Sequence, residues 1–565
     1  LSLTLSRMRQ LLRTHGVVGA VGVLGVSVAS AFSLQPVSSR HHLSTAPLRS
    51  SGPAGESPLG SMFKKTIGAV AGLGKPTGGA ELSGMVDGAP SWEALGEMLR
   101  EQQTDEEREF RSNLASGRGE VSQPLASIRL FDAPDGTEPR VTFFRDHAAW
   151  CPYCHKVWLT LEEKRIPYRV EKVPMSCYGK KPAEFNRMQP SGQIPVAIID
   201  GEVFRQSNDI IFHLEENFEG HPALVPDDDL LRSNVNQLLR LEREFFGAWL
   251  GWLTARGGPG SGGRRVAFEN SLQRVEEALG ATGEQGPYFL GAEVSLVDIM
   301  FAPFLERAAA SLVYFKGFTF RGAEDSVARE DYPNVNKWFD AMESRPAYQG
   351  TKSDYYTHAH DLPPQLGGCG LEAQAYADSL DGKSGDWNLP LSPGSLEPDW
   401  GWYDEGAARR EAAERLVHNH AAIARFAARG AGKQGMPPVM APLADPNAVP
   451  DDSVVPAVDV MLRWVCHALL SDTGPLDDSV GQSAASLGEC VQTQRRKLGA
   501  AHTRCASRRT VHDTDRPTIP SSAGVSDEVV ASLTYLKDRV GVPRDMQLPA
   551  ARQLRGHLLW ASGKF

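Results

Sequence analysis

The chain has 565 residues and carries 59 Lys and Arg against 69 Asp and Glu, a formal charge of −10. That mild acidity argues against a protein that grips a phosphate backbone, and the length predicts three or four folding units at ~150 residues each. Apolar residues at 41%, with Gly at 55 and Pro at 38, fit globular domains joined by flexible stretches, and seven cysteines are too few and too odd a number for a secreted disulfide scaffold. Collagen and polytopic membrane proteins are excluded on the same composition.

The sequence opens on Leu1, which suggests an initiating methionine upstream. Arg7, Arg9 and Arg13 precede an apolar run from Gly16 to Val28. At ~1.5 Å per residue that run reaches about 20 Å, short of a ~30 Å hydrocarbon core, and so reads as the apolar part of a secretory signal. Ala29-Ser30-Ala31-Phe32 resembles the cleavage motif of bipartite targeting sequences in algae with secondary plastids. The Ser- and Pro-rich stretch behind it reads as a transit peptide, so residues 1–60 predict delivery to the plastid stroma, with plain secretion as the alternative. Residues 61–138 are expected to be a partly disordered N-terminal extension. Their one amphipathic candidate, Trp92 to Leu114, is expected to pack only loosely.

From Pro139 the texture changes. Val141-Thr142-Phe143-Phe144 predicts a buried strand and Pro152 to Lys164 a helix. Arg169 to Val173 alternates as a half-exposed strand, a short helix follows near Pro182–Met188, and Ile194–Ile199 and Glu202–Phe204 are strands around the Asp200-Gly201 turn. Ser207 to Asn217 closes the unit as a helix. The order β-α-β-α-β-β-α predicts a mixed four-stranded sheet over 139–225, the first half of an α+β core. Residues 226–352 are expected to be all helical: Leu230–Leu253, Arg265–Leu279, Ser295–Leu312 and Asn334–Glu343. Ser295-x-x-Asp298 has the form of a capping box. Gly257–Gly263 and Gly72–Gly79 lack the spacing of a phosphate loop. Residues 353–565 predict a mostly helical extension, with helices at Arg409–Arg429, Pro456–Leu470 and Arg552–Trp560 and disordered linkers near 430–452 and 495–523.

The chemistry concentrates in Cys151-Pro152-Tyr153-Cys154, after a strand and opening a helix. A sulfur at a helix N-terminus meets unpaired N–H groups and the positive dipole end, which favour a thiolate. Pro152 suits the first helical position. Cys154 lies a turn inside the helix, less exposed, and could resolve a mixed disulfide; Cys177 is a second candidate only if its loop folds close. A zinc site would need a second ligand pair, and no other C-x-x-C or C-x-x-H exists in the sequence. A buried structural pair of cysteines is the other competing reading. Ile194-Pro195 opens a strand where cis proline is common and leaves Ile194 backbone groups free to pair with an extended peptide. The helix start at Gln206-Ser207 offers an anion site for a carboxylate; the competing reading is simple N-capping by Ser207, which is also compatible with ligand binding. His358 and His360 are expected on a surface loop, His418 and His420 do not share a helical face, and Cys466 is expected in a core.

The block Phe144–Asn217, with Cys151–Cys154, Ile194-Pro195 and Gln206-Ser207, resembles the thioredoxin-like N-terminal domain of glutathione transferases. The helical half with Ser295–Asp298 resembles the family's all-α C-terminal domain. The wording around Trp150–Cys154, Ile166–Arg169 and Cys177-Tyr178-Gly179 is closest to the iota class of algae and cyanobacteria. The segment Val542–Met546 is similar to that class's long C-terminal extension. The resemblance implies glutathione as co-substrate without a metal, and Cys151 as the catalytic residue. It implies pairing of glutathione with Ile194 beside Pro195, binding of the γ-glutamyl carboxylate at Ser207, and a glycyl-carboxylate contact from Lys180 or Lys181. Gln206 stands where many members have Glu. A cysteine in this role implies thiol transfer, removal of glutathione from mixed disulfides of small molecules or proteins, and dehydroascorbate reduction. The rival functions are a non-catalytic glutathione carrier and a conjugating transferase acting on electrophiles. Related transferases often pair as homodimers through this core, a surface the extension could cover. Neither a nucleic acid nor, after removal of the leader, a membrane is an expected partner.

Overall fold

The computed structural model describes residues 89–471 and 525–564, apart from short gaps at 123, 176, 178, 258–260, 324, 392–395, 398–403, 437–444, 446 and 542–543. The leader read in residues 1–60 and the linker near 495–523 lie outside the described residues, as does much of the linker near 430–452.

Strands β1 (Ile128–Arg129), β2 (Val141–Asp146), β3 (Tyr168–Val173), β4 (Val196–Ile199) and β5 (Glu202–Phe204) form one sheet in the order β1-β3-β2-β4-β5. β2 runs parallel to β3 and antiparallel to β4, so Phe143 sits opposite both Val170 and Ala197 at the centre. Nearly every β2 side chain is buried, because the helices cover both faces. The four expected strands are all present. The fifth, β1, is an addition drawn from the segment read as an extension. It is held there because Arg129, fully buried, forks onto Glu162 with contacts of 3.0 and 2.9 Å, and Tyr168 donates to the same carboxylate.

The helices, in chain order, are α1 (Trp92–Gln102), α2 (Asp105–Ala115), α3 (Pro152–Glu163), α4 (Ala183–Met188), α5 (Ser207–Asn217), α6 (Asp229–Leu253), α7 (Ser261–Gly280), α8 (Leu296–Lys316) and α9 (Val327–Asp331). They continue with α10 (Pro333–Glu343), α11 (Pro346–Thr351), α12 (Tyr355–Leu366), α13 (Gln374–Leu380), α14 (Glu405–Ala427), α15 (Val455–Leu470), α16 (Val525–Lys537) and α17 (Leu548–Ser562). The capping box at the head of α8 is formed. Asp298 accepts the Ser295 N–H (2.9 Å) and hydroxyl (2.7 Å), and also reaches the Phe289 N–H and the Trp338 indole. α7 starts at Ser261, inside the glycine stretch read as a loop. Gly262 and Gly263 fall in the first turn, where N–H groups have no intrahelical partner anyway.

A second hydrophobic core lies beyond the sheet. Leu95 and Leu99 of α1 pack with the alanine-rich face of α14, with Met461 and Val465 of α15, Leu533 of α16 and Leu558 of α17. The Trp92 indole donates to Asp459 (2.9 Å) and the Gln102 amide to the Leu470 carbonyl (2.8 Å), fixing both ends of α1. The loose packing expected of Trp92–Leu114 is therefore corrected. Its apolar stripe is narrow, and its partners lie more than 300 residues away in sequence. His358 is also corrected: it is fully buried in α12, where the Asp354 carboxylate accepts the Thr357 N–H and starts the helix. Pro363 and Pro364 near the end of α12 mask the helical pattern in the sequence. Cys466 lies in the second core as expected. His418 is exposed, and His420 stacks on Trp92 with ring centroids 4.6 Å apart.

Candidate active site

The thiol pair sits where β2 ends. Asp146, the last residue of β2, turns its carboxylate back along the loop and accepts the N–H of Trp150 (2.6 Å) and of Cys151 (3.2 Å). Those bonds fix the loop and set Cys151 at the N-cap of α3, with Pro152 opening the helix. Both cysteines are buried, Cys151 with 8% of its surface exposed and Cys154 with 2%, so the first is the less enclosed of the two. The Cys154 thiol is hydrogen-bonded to Cys151, and burial followed by that bond pushes it well above the ordinary thiol range. It therefore stays protonated as a donor beside the first sulfur. Trp150 covers one side, its indole lying under the Arg307 guanidinium at 5.2 Å.

The Cys151 sulfur is 4.0 Å from the Ile194 carbonyl, and the Ile194-Pro195 bond is cis. Ser207 is buried as the first residue of α5, while Gln206 is the N-cap, exposed and without a side-chain capping bond. The capping alternative for Ser207 is thereby corrected: the flanking extended residue is Gln206. Of the two lysines, Lys180 is exposed and Lys181 half-buried. Burial lowers the Lys181 ammonium, and Cys151, Cys154, Cys177 and Asp146 all act on it in the opposite sense. Lys181 thus shares the site with the sulfurs. Cys177 is buried, receives a hydrogen bond from the Gln365 amide of α12, and is pushed up to about 12, first by burial and then by Asp361.

Several participants were not singled out from the sequence. Asp146 gives no signal beyond an acid at a strand end. Lys156, two residues past Cys154, is buried and donates to Asn208 (2.8 Å); burial brings its ammonium down to about 7. Tyr153, whose ring lies 5.3 Å from the Lys156 ammonium, is edge-on to Phe304 at 6.2 Å, and Phe246 lies 4.8 Å from the Phe304 ring. Arg243 spans Phe246 and Phe304 at 5.0 Å. An aromatic wall from α3, α6 and α8 therefore stands beside the thiol helix. Among the described residues no group of three or more His, Cys, Asp or Glu side chains is placed to hold a metal ion, and no helix is long and apolar enough to cross a membrane.

Comparison with known families now bears on this geometry. Residues 150–217 match the family model of the glutathione S-transferase N-terminal domain, and residues 263–341 match that of the C-terminal domain. The two matched stretches fall in the sheet domain and in the helical domain that follows it, which are thus similar to the two domains of that family. Glutathione S-transferase L1 of Arabidopsis thaliana is 29% identical over 204 residues, 36% of this chain and 79% of that relative. Glutathione S-transferase DHAR2 of the same plant is 26% identical over 203 residues, 36% of this chain and 84% of that relative. Among solved structures, glutathione transferase Omega 3C of Trametes versicolor is 26% identical with a TM-score of 0.33, covering 39% of this chain and 91% of that one. The transferase core thus joins a thioredoxin-like domain to a helical domain, and the protein is an enzyme of the glutathione S-transferase type.

Proposed function

We propose that the protein is a glutathione-dependent thiol transferase and reductase whose nucleophile is Cys151. The observation that carries this reading is the Cys151 sulfur at a helix N-cap, less enclosed than Cys154, with a protonated Cys154 thiol beside it and the Ile194 carbonyl 4.0 Å away. Glutathione lies against the Ile194 backbone next to Pro195, its γ-glutamyl carboxylate at the start of α5 near Ser207 and Gln206, and its glycyl carboxylate toward Lys181. The half-burial of Lys181 beside the sulfurs favours it over the exposed Lys180.

The Cys151 thiolate attacks the glutathionyl sulfur of a mixed disulfide. The S–S bond breaks, the acceptor leaves as a thiolate and takes a proton, and Cys151 holds the glutathionyl group. A second glutathione thiolate then attacks that sulfur, releasing oxidised glutathione and restoring Cys151. Alternatively Cys154, after losing its proton, attacks Cys151 and expels glutathione, and two further glutathiones reduce the resulting intramolecular disulfide. Dehydroascorbate accepts the same two electrons and two protons as ascorbate forms. The aromatic wall of Tyr153, Phe246 and Phe304 offers a surface for the acceptor's apolar part.

The C-P-Y-C wording and the Arg544-Asp545-Met546 segment support membership of the iota class. We place the protein in the plastid. Two Arabidopsis relatives named as chloroplastic, L2 at 28% and DHAR3 at 26% identity, support that address.

Turnover of a glutathione mixed disulfide by cysteine variants tests the reading. Cys151→Ser is expected to lose activity by ~10³-fold or more, while Cys154→Ser keeps much of it through the glutathione route. Undiminished turnover in Cys151→Ser would refute the thiol mechanism. Glutathione binding without turnover of any disulfide or dehydroascorbate would point to a carrier, and conjugation retained without Cys151 to a conjugating transferase.

A further inference from the structure

A row of buried charged side chains runs from the C-terminal helix to the backbone of the thiol loop. Arg555 of α17, 2% exposed, donates to Asp354 at 2.6 Å and to the Val540 carbonyl at 2.8 Å. Asp354 caps α12, and one turn on the His358 Nε2 lies 2.6 Å from Glu306 Oε1. A carboxylate only accepts, so Nε2 carries the proton. Glu306 also takes the Ser353 N–H at 2.8 Å. Arg307 follows Glu306 on α8, with Nη1 4.0 Å from the same carboxylate oxygen, and donates to the Pro303 carbonyl (2.8 Å) and the Trp150 carbonyl. Trp150 immediately precedes Cys151.

Every side chain in this row is within 2% of full burial. Burial holds His358 neutral against the pull of Glu306. Glu306 stays ionised despite its burial because His155, His358 and Arg307 surround it. Burial lowers the Arg307 guanidinium, with Glu306, Cys151 and Asp146 acting in the opposite sense, and its bond to the Trp150 carbonyl places it one residue from Cys151. Glu306 competes for the same guanidinium.

We propose that the chain beyond residue 352 sets the reactivity of Cys151 through this row: His358 engages Glu306, leaving Arg307 on the Trp150 carbonyl with its positive charge available to the sulfur. His358 and Glu306 are positioning residues, since neither touches Cys151. The inference rests on Cys151 being the nucleophile. The other titratable or charged groups facing the row are His155 of α3, whose Nδ1 is 3.5 Å from Arg307, Asp146 at the end of β2, Tyr348 of α11, Lys352, Tyr355 and Tyr356 at the head of α12, Glu397 and Arg544; Tyr153, Cys154, Lys156 and Lys181 face Cys151 itself.

The test is the rate of Cys151 alkylation by iodoacetamide as a function of pH, in the full chain carrying Cys154→Ser. His358→Leu frees Glu306 to draw Arg307 away and should slow alkylation at mildly acidic pH roughly fivefold, moving the profile to higher pH. His358→Gln, which keeps a donor near the Nε2 position, should restore most of the rate. Glu306→Gln removes the competing charge and should move the profile the opposite way. Simple loosening of the fold would displace both variants in one direction, so opposite displacements with rescue by glutamine support the row. Displacement in a common direction, or no displacement, overturns it. A wild-type Cys151 that alkylates no faster than an ordinary free thiol would instead remove the nucleophile reading, and this inference with it.

Discussion

The transferase core and the outer helical cluster bury their interiors by different means. In the core, large aromatic and β-branched side chains fill the space, and two buried polar side chains each serve several partners. Asp298 serves four donors, and Asn336 donates to the Phe320, Ala328 and Tyr332 carbonyls while accepting the Gly322 N–H. The outer cluster is lined by alanines of α14 (Ala408, Ala412, Ala413, Ala424, Ala427) against aliphatic residues of α15 and α17, which lets helices approach closely with little side-chain entropy lost. Its specificity lies instead at its joints, in Arg410 with Glu107, Arg555 with Asp354, and the Gln547 N–H with Glu411. The difference shows that the core could keep its architecture through local caps, whereas the outer cluster depends on a few long-range polar ties.

Arg555→Met should have the largest effect on that contrast, because it leaves Asp354 charged and buried without its partner. A loss of about 3–5 kcal/mol is expected in denaturant unfolding, with both regions weakened since Asp354 starts the helix that reaches Glu306. A loss below 1 kcal/mol would mean that the tie contributes little. Leu95→Ala comes next. It opens a cavity in the outer core alone, with an expected loss of about 2–4 kcal/mol and turnover unchanged within about twofold. A matching fall in activity would show that the two regions are not separable in this way.

A smaller effect is expected from pH. Burial pushes His155 in the core down to about 3 and His557 in the outer cluster down to about 4. The folded chain keeps both neutral, while the unfolded chain takes protons near 6.5, so stability present at neutral pH is lost as pH falls from about 6.5 toward 4. Thermal unfolding midpoints across that range should decline for the wild type. They should decline less steeply for His557→Gln, whose side chain does not titrate. An identical slope in both proteins would remove His557 from the acid response.

The same contrast explains what could be read from the sequence. In the core, strand and helix periods follow one another with short connections, and the bounds of α5 are those the pattern gives, Ser207–Asn217. The thiol motif was legible because strand, cysteine and helix adjoin. Asp146 was not, since the bonds it forms depend on how the loop folds back, and the choice of Lys181 over Lys180 depends on burial. His358 was hidden by the prolines of α12. The role of α1 was hidden because its stripe is only Trp92, Leu95, Met98 and Leu99 wide, and its partners lie past residue 400. Fold therefore read well where contacts are local, and poorly where they close across most of the chain.

The central claim is that Cys151 is the sulfur that accepts glutathione. Its most direct test is peptide mapping by mass spectrometry of the full-length Cys154→Ser protein after exposure to oxidised glutathione. The account predicts a glutathionyl adduct on Cys151, released by added thiol. An unmodified Cys151 with the adduct on Cys177 or elsewhere, or no adduct at all, would contradict it.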